Sequence, residues 1–75
     1  MNRPGHVVYA YGLPSQPRIV ATLEHARRRA ADEAETRRAP QFVMRIDLAR
    51  GDLPPEILGQ ANADGTYEDI AGRRG

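Results

Sequence analysis

From Leu23 to about Arg38 the chain meets neither glycine nor proline and is rich in alanine. Such a stretch has a strong helical preference, and the rest of the fold must be arranged around it. Leu23, Ala26, Ala30 and Ala34 recur at helical spacing and form one stripe. Because that stripe is mostly alanine, the helix can lie close to a sheet. Thr22 is placed as the N-cap, its hydroxyl accepting from a free amide of the first turn. Glu24 puts negative charge near the positive end of the helix dipole, and Arg37 and Arg38 suit the opposite end. Pro40 then prevents continuation.

The flanking segments read as strands. His6 to Gly12 is β-branched and aromatic, with Gly12 closing it. Pro14, Ser15, Gln16 and Pro17 predict a loop. Arg18 to Ala21 is a second short strand or the approach to the helix, and Ile19-Val20 favours the strand. Gln41 to Leu48 is the clearest strand. Phe42, Met44, Ile46 and Leu48 share one face, expected to meet the helix, while Val43, Arg45 and Asp47 share the other, expected to be wet. Asp64-Gly65 is a strong hairpin signal between Ile57-Leu58 and Tyr67 to Ile70. The competing reading of residues 56–62 is a short helix started by Pro55, and Gly59 weakens both. Residues 71–75 read as a frayed tail. The pattern predicts an α+β fold: a single small, mostly antiparallel sheet of about four to five strands, with one α-helix packed on one face.

The 75 residues make one domain, 1–75. A chain of this size buries roughly 60% of its unfolded surface. Self-association as a homodimer, or a large partner, is expected to help it. With no cysteine, disulfides and thiolate metal sites are excluded. No stretch approaches the roughly 20 apolar residues of a membrane helix, and the N-terminal apolar run is broken by Gly12 and Pro14, unlike a signal peptide. The expected compartment is cytoplasmic, with no membrane partner.

Catalytic and metal chemistry finds little to build on. His6 and His25 are the only histidines and Ser15 is the only serine, with no triad spacing among them. No His/Cys cluster suggests a metal. Asn62 to Gly65 has the look of part of a calcium loop, but registering it on Gly65 puts Gln60 and Ala71 where carboxylates are required. The glycines form no phosphate-cradling pattern. Arg50-Gly51-Asp52 reads as a turn. The expectation is a protein that is not an enzyme and holds no cofactor or metal.

Charge is the concentrated feature. All eleven basic residues are arginine. Residues 1–38 hold seven of them against four acids, whereas residues 47–69 hold one against six. A basic half and an acidic half favour oriented docking. Arg27, Arg28 and Arg29 are consecutive on the helix. Glu24 with Arg28, Arg28 with Asp32, Arg29 with Glu33 and Glu33 with Arg37 are all spaced for i,i+4 pairs, which describe a solvated face. The alternative is a contact patch.

The Leu23 to Glu33 helix with basic residues after an alanine, Val43-Met44-Arg45-Ile46 in the next strand, and Asp64-Gly65 in a terminal hairpin with Tyr67 together resemble the small phage-encoded anti-CRISPR proteins acting on type I CRISPR surveillance complexes. The resemblance covers the layout of residues 18–70 and about ten positions in identity. It implies a non-enzymatic inhibitor that blocks target-DNA binding by such a complex through steric and electrostatic occlusion. It places the partner-binding surface at Arg27, Arg28, Arg29, Tyr67 and Glu68. A second expectation is a small nucleic-acid-binding module that uses the arginine helix or an open sheet face with Tyr9, Tyr11 and Arg45. The acidic 47–69 segment is the other candidate contact surface.

Overall fold

Alternating β-branched and aromatic residues make β1 (Val7–Leu13), and a tight reversal returns the chain along it as β2 (Gln16–Val20). The computed structural model describes residues 6–70. Leu13 pairs with Gln16, so the reversal is Pro14-Ser15 alone. The expected four-residue loop is corrected: Gln16 and Pro17 belong to the strand. Pro17, which has no N–H, is tolerated because β2 is an edge strand. Gly12 adopts φ 114°, a conformation L side chains rarely take, and the strand continues through it to Leu13.

The helix α1 spans Leu23–Arg37. Its N-cap is Thr22, whose Oγ1 accepts from the His25 N–H at 3.1 Å. Arg38 takes the left-handed conformation and ends the helix, its N–H donating to the Ala34 carbonyl. Ala26, Ala30 and Ala34 are fully buried. The chain then forms β3 (Gln41–Asp47), β4 (Glu56–Ala61) and β5 (Tyr67–Asp69). Residues 56–61 are therefore strand, and the helical alternative is set aside. Five strands make one antiparallel sheet in the order β2-β1-β3-β4-β5, with α1 packed against one face. The frayed tail expected at 71–75 lies outside the described residues.

The sidedness of β3 is the main correction. The residues that join Ala26, Ala30 and Ala34 in one cluster are Tyr11, Val43 and Ala61, with Tyr9, Val20, Leu23 and Leu58 against it. Val43, expected to be wet, is under the helix. Phe42, Met44 and Ile46, expected to meet the helix, face away from it, since they alternate with Val43. Leu48 lies beyond the strand and is 54% exposed. The physical reason is volume. An alanine stripe contributes little bulk, so the gap beneath it is filled by Tyr11 and Tyr9 from β1, and the pairing of Tyr11 with Val43 carries Val43 to that side. Arg45 and Asp47 share this side but lie towards the end of the strand, where they stay exposed. Arg45 pairs with Glu56 across the strands at 2.7 Å.

A bulge in β4 completes the arrangement. Val43 pairs with Gly59 and Met44 with Ile57, so Leu58 is the extra residue. It joins the helix-side cluster, while Ile57 stays beside Met44 on the opposite face.

Candidate functional site

Five residues were expected to form one partner-binding surface, and the fold distributes them. Arg27 and Tyr67 come together. The Arg27 guanidinium carbon stands 5.4 Å from the centre of the Tyr67 ring, at the β5 side of the helix. Arg28 is 3.7 Å from Glu24 and well exposed. Arg29 turns to the opposite flank, where Nε and Nη2 donate to the Tyr11 hydroxyl at 3.4 and 3.3 Å. Glu68 pairs with Gln60, opposite in face to Tyr67. The three consecutive arginines thus fan into three directions, as 100° steps around a helix require. Of the four expected i,i+4 pairs, Glu24 with Arg28 and Glu33 with Arg37 form ion pairs. The other two do not, and Arg29 is taken by Tyr11.

Two features were not anticipated. The first is the apolar character of the sheet face away from the helix, which was expected to be half polar. Strand register places Val8, Ala10, Ile19, Phe42, Met44, Ile46 and Ile57 there. Ala10 and Met44 are sealed from solvent at its centre, and Ile19 is 60% exposed at its edge. No helix or strand of the described residues packs on this face. Alternation in QFVMRIDL signals one apolar face, but it does not say which face the helix covers.

The second is a groove of about 280 Å³ between the C-terminal half of α1 and the β1–β2 hairpin. Arg18 reaches it because it pairs with Tyr11 and shares the helix side. Glu33 and Arg37 enter from the helix, one turn apart, with Arg37 Nε 2.6 Å from Glu33 Oε1. That hydrogen bond, followed by the charges of Arg37, Arg18 and Arg29, holds the Glu33 carboxyl below its ordinary range. The same bond raises Arg37, and the Tyr11 hydroxyl bond raises Arg29. Gln41 lines the groove at 6% exposure. The signal that could have found it is a polar residue opening a strand otherwise apolar at its start.

Among the described residues no three His, Asp or Glu side chains converge as a metal site, and no helix is long and apolar enough to cross a membrane. Tyr11, named for stacking on nucleic acid, is buried beneath the helix at 4% exposure, and Tyr9 packs on the same cluster. In comparison with known proteins, no family model matches the sequence, and no curated protein or solved structure shows significant similarity to it.

Proposed function

We propose that this protein acts by contact and not by catalysis, covering an apolar surface of a larger protein with the sheet face that bears Val8, Ile19, Phe42, Ile46 and Ile57. The observation that carries the reading is that strand register puts these uncharged side chains on one face, half-buried except for exposed Ile19, with no second layer of strand or helix on it among the described residues. Contiguous apolar patches rimmed by polar residues mark interaction sites. Lack of charge at the centre matches an apolar partner surface, and Glu68 at the β5 end supplies a polar rim. The arginines of α1 are a weaker candidate for the contact, because Arg27, Arg28 and Arg29 are already engaged by Tyr67, Glu24 and Tyr11.

In its most specific form the partner is a type I CRISPR surveillance complex, with target-DNA binding occluded, as the resemblance of residues 18–70 implies. The test is target-DNA loading of purified type I complexes with and without this protein. Loss of loading that is restored by Ile57→Arg, in a variant with unchanged circular dichroism, is the expected result. Unchanged loading with every complex tried removes the CRISPR partner. Inhibition that survives both Ile57→Arg and Ile19→Arg removes the sheet face as the docking surface. Binding of the free protein to generic DNA with a steep salt dependence would favour direct phosphate contact instead.

A further inference from the structure

We infer that the groove between α1 and the β1–β2 hairpin is a binding site for a single carboxylate, held by Arg18, Gln41 and the Tyr11 hydroxyl. This is independent of the apolar sheet face. Gln41 is the first indication. Its side chain is about nine-tenths buried, yet its amide makes no hydrogen bond to any described residue. Buried side-chain amides are normally paired, because leaving one unpaired costs its desolvation. None of its polar atoms is sealed off, so they open onto the groove that the residue lines.

The charges around the groove determine what it takes. Arg37 is committed to Glu33 at 2.6 Å, and Arg29 to the Tyr11 oxygen. Arg18 makes no hydrogen bond or ion pair among the described residues, although it is close enough to Glu33 to lower that carboxyl. One uncommitted guanidinium therefore faces the groove. The Tyr11 hydroxyl accepts two N–H bonds from Arg29 and has no acceptor for its own hydrogen among the described residues. Arg18, the Tyr11 O–H and the Gln41 side-chain NH2 together present several donors, and a carboxylate, with two oxygens and several lone pairs, can accept from them. Glu33 in the groove wall disfavours a second negative charge, which selects a monoanion over a phosphate dianion. About 280 Å³ is at the small end of ligand sites, enough for a carboxylate and a short stem. The free C-terminus of a peptide and an acidic side group both present such a carboxylate.

The probes are acetate, an acetylated dipeptide with a free C-terminus, the same dipeptide amidated, and an amidated dipeptide ending in aspartate. Side-chain nitrogen resonances of Gln41 and Arg18 are followed by NMR during titration. Saturable shifts with acetate and with either carboxylate peptide, and none with the uncharged amide, are expected. Which peptide binds more tightly identifies the source of the carboxylate. Arg18→Gln should weaken binding about tenfold or more, in line with loss of a charge-assisted bond. Arg45→Gln, on an arginine already paired with Glu56, should leave it unchanged. Shifts that do not saturate, that follow the uncharged peptide equally, or that persist in Arg18→Gln would overturn the site.

Discussion

The phenol of Tyr67 lies across Gly59 so closely that a β-carbon at residue 59 would collide with the Tyr67 hydroxyl and stand 2.9 Å from the Glu68 carbonyl oxygen. Gly59 is the floor, Tyr67 the middle layer and Arg27 the cover. A glycine in a strand interior weakens the strand, and an aromatic from a neighbouring strand compensates by filling the space. Gly59→Ala is expected to destabilise the protein by about 1–3 kcal/mol, the usual cost of overpacking. Tyr67→Phe, which shortens the side chain at its crowded end, should be tolerated far better. Urea unfolding of the two variants compares them, and a neutral Gly59→Ala would refute the packing account.

The helix start rests on one side-chain bond, from the His25 N–H to Thr22 Oγ1. Thr22→Ala should cost about 1 kcal/mol, and Thr22→Ser or Thr22→Asp should preserve most of it. Thermal unfolding monitored by helical circular dichroism reads the difference.

Met44 and Ile19 share one sheet face but differ in what surrounds them. Met44 is fully enclosed and Ile19 is 60% exposed. Met44→Ala should lose about 2–5 kcal/mol, while Ile19→Ser should stay within about 0.5 kcal/mol. Equal losses for the two in equilibrium unfolding would refute the difference in burial.

Ala30 sits fully buried where the helix crosses the sheet. Ala30→Leu would push α1 from Tyr11 and Val43, at an expected cost of about 1–3 kcal/mol or more. Ala31→Leu, one position round on the exposed side, is the control. Chemical denaturation of both variants separates a close-packed helix from a loosely placed one.

In the β4–β5 turn the Asp64 Oδ1 accepts from the Thr66 hydroxyl at 2.7 Å and from its backbone N–H at 3.0 Å. These bonds hold the carboxyl below its ordinary value of 3.8, the hydroxyl bond contributing most. A depressed carboxyl stabilises the fold fully above its unfolded value and loses that contribution as pH falls through the folded one. The Asp64 resonance should therefore titrate with a midpoint below 3.8. In Thr66→Val, which keeps the backbone N–H but loses the hydroxyl, the midpoint should move back up. An unshifted midpoint in the parent protein would exclude the turn geometry.

Much of the architecture is readable from local residue choice. Thr22 at the cap, the Ala26-Ala30-Ala34 stripe and Asp64-Gly65 at the last reversal each act within a few residues, and each appears where its chemistry predicts. The Pro14–Pro17 segment misled because proline usually signals a loop. Pro17 sits in a strand only because nothing pairs on its outer side, a property of β2 being at the sheet edge. The groove was illegible for a similar reason: Arg18 is distant in sequence from Glu33, Arg37 and Gln41 and meets them only through the Tyr11–Arg18 pairing and the crossing of α1.

The sequence by itself determined most of the segments that are helix and strand, and that one face of β3 is more apolar than the other, because capping, turn chemistry and alternation are local. Only the tertiary structure decided which of those faces the helix covers. A narrow alanine helix is satisfied by Tyr11, Val43 and Ala61, and the larger side chains Phe42, Ile46 and Ile57 are left on the opposite face. That choice depends on how much volume the two layers must share, a quantity set by residues from every strand at once.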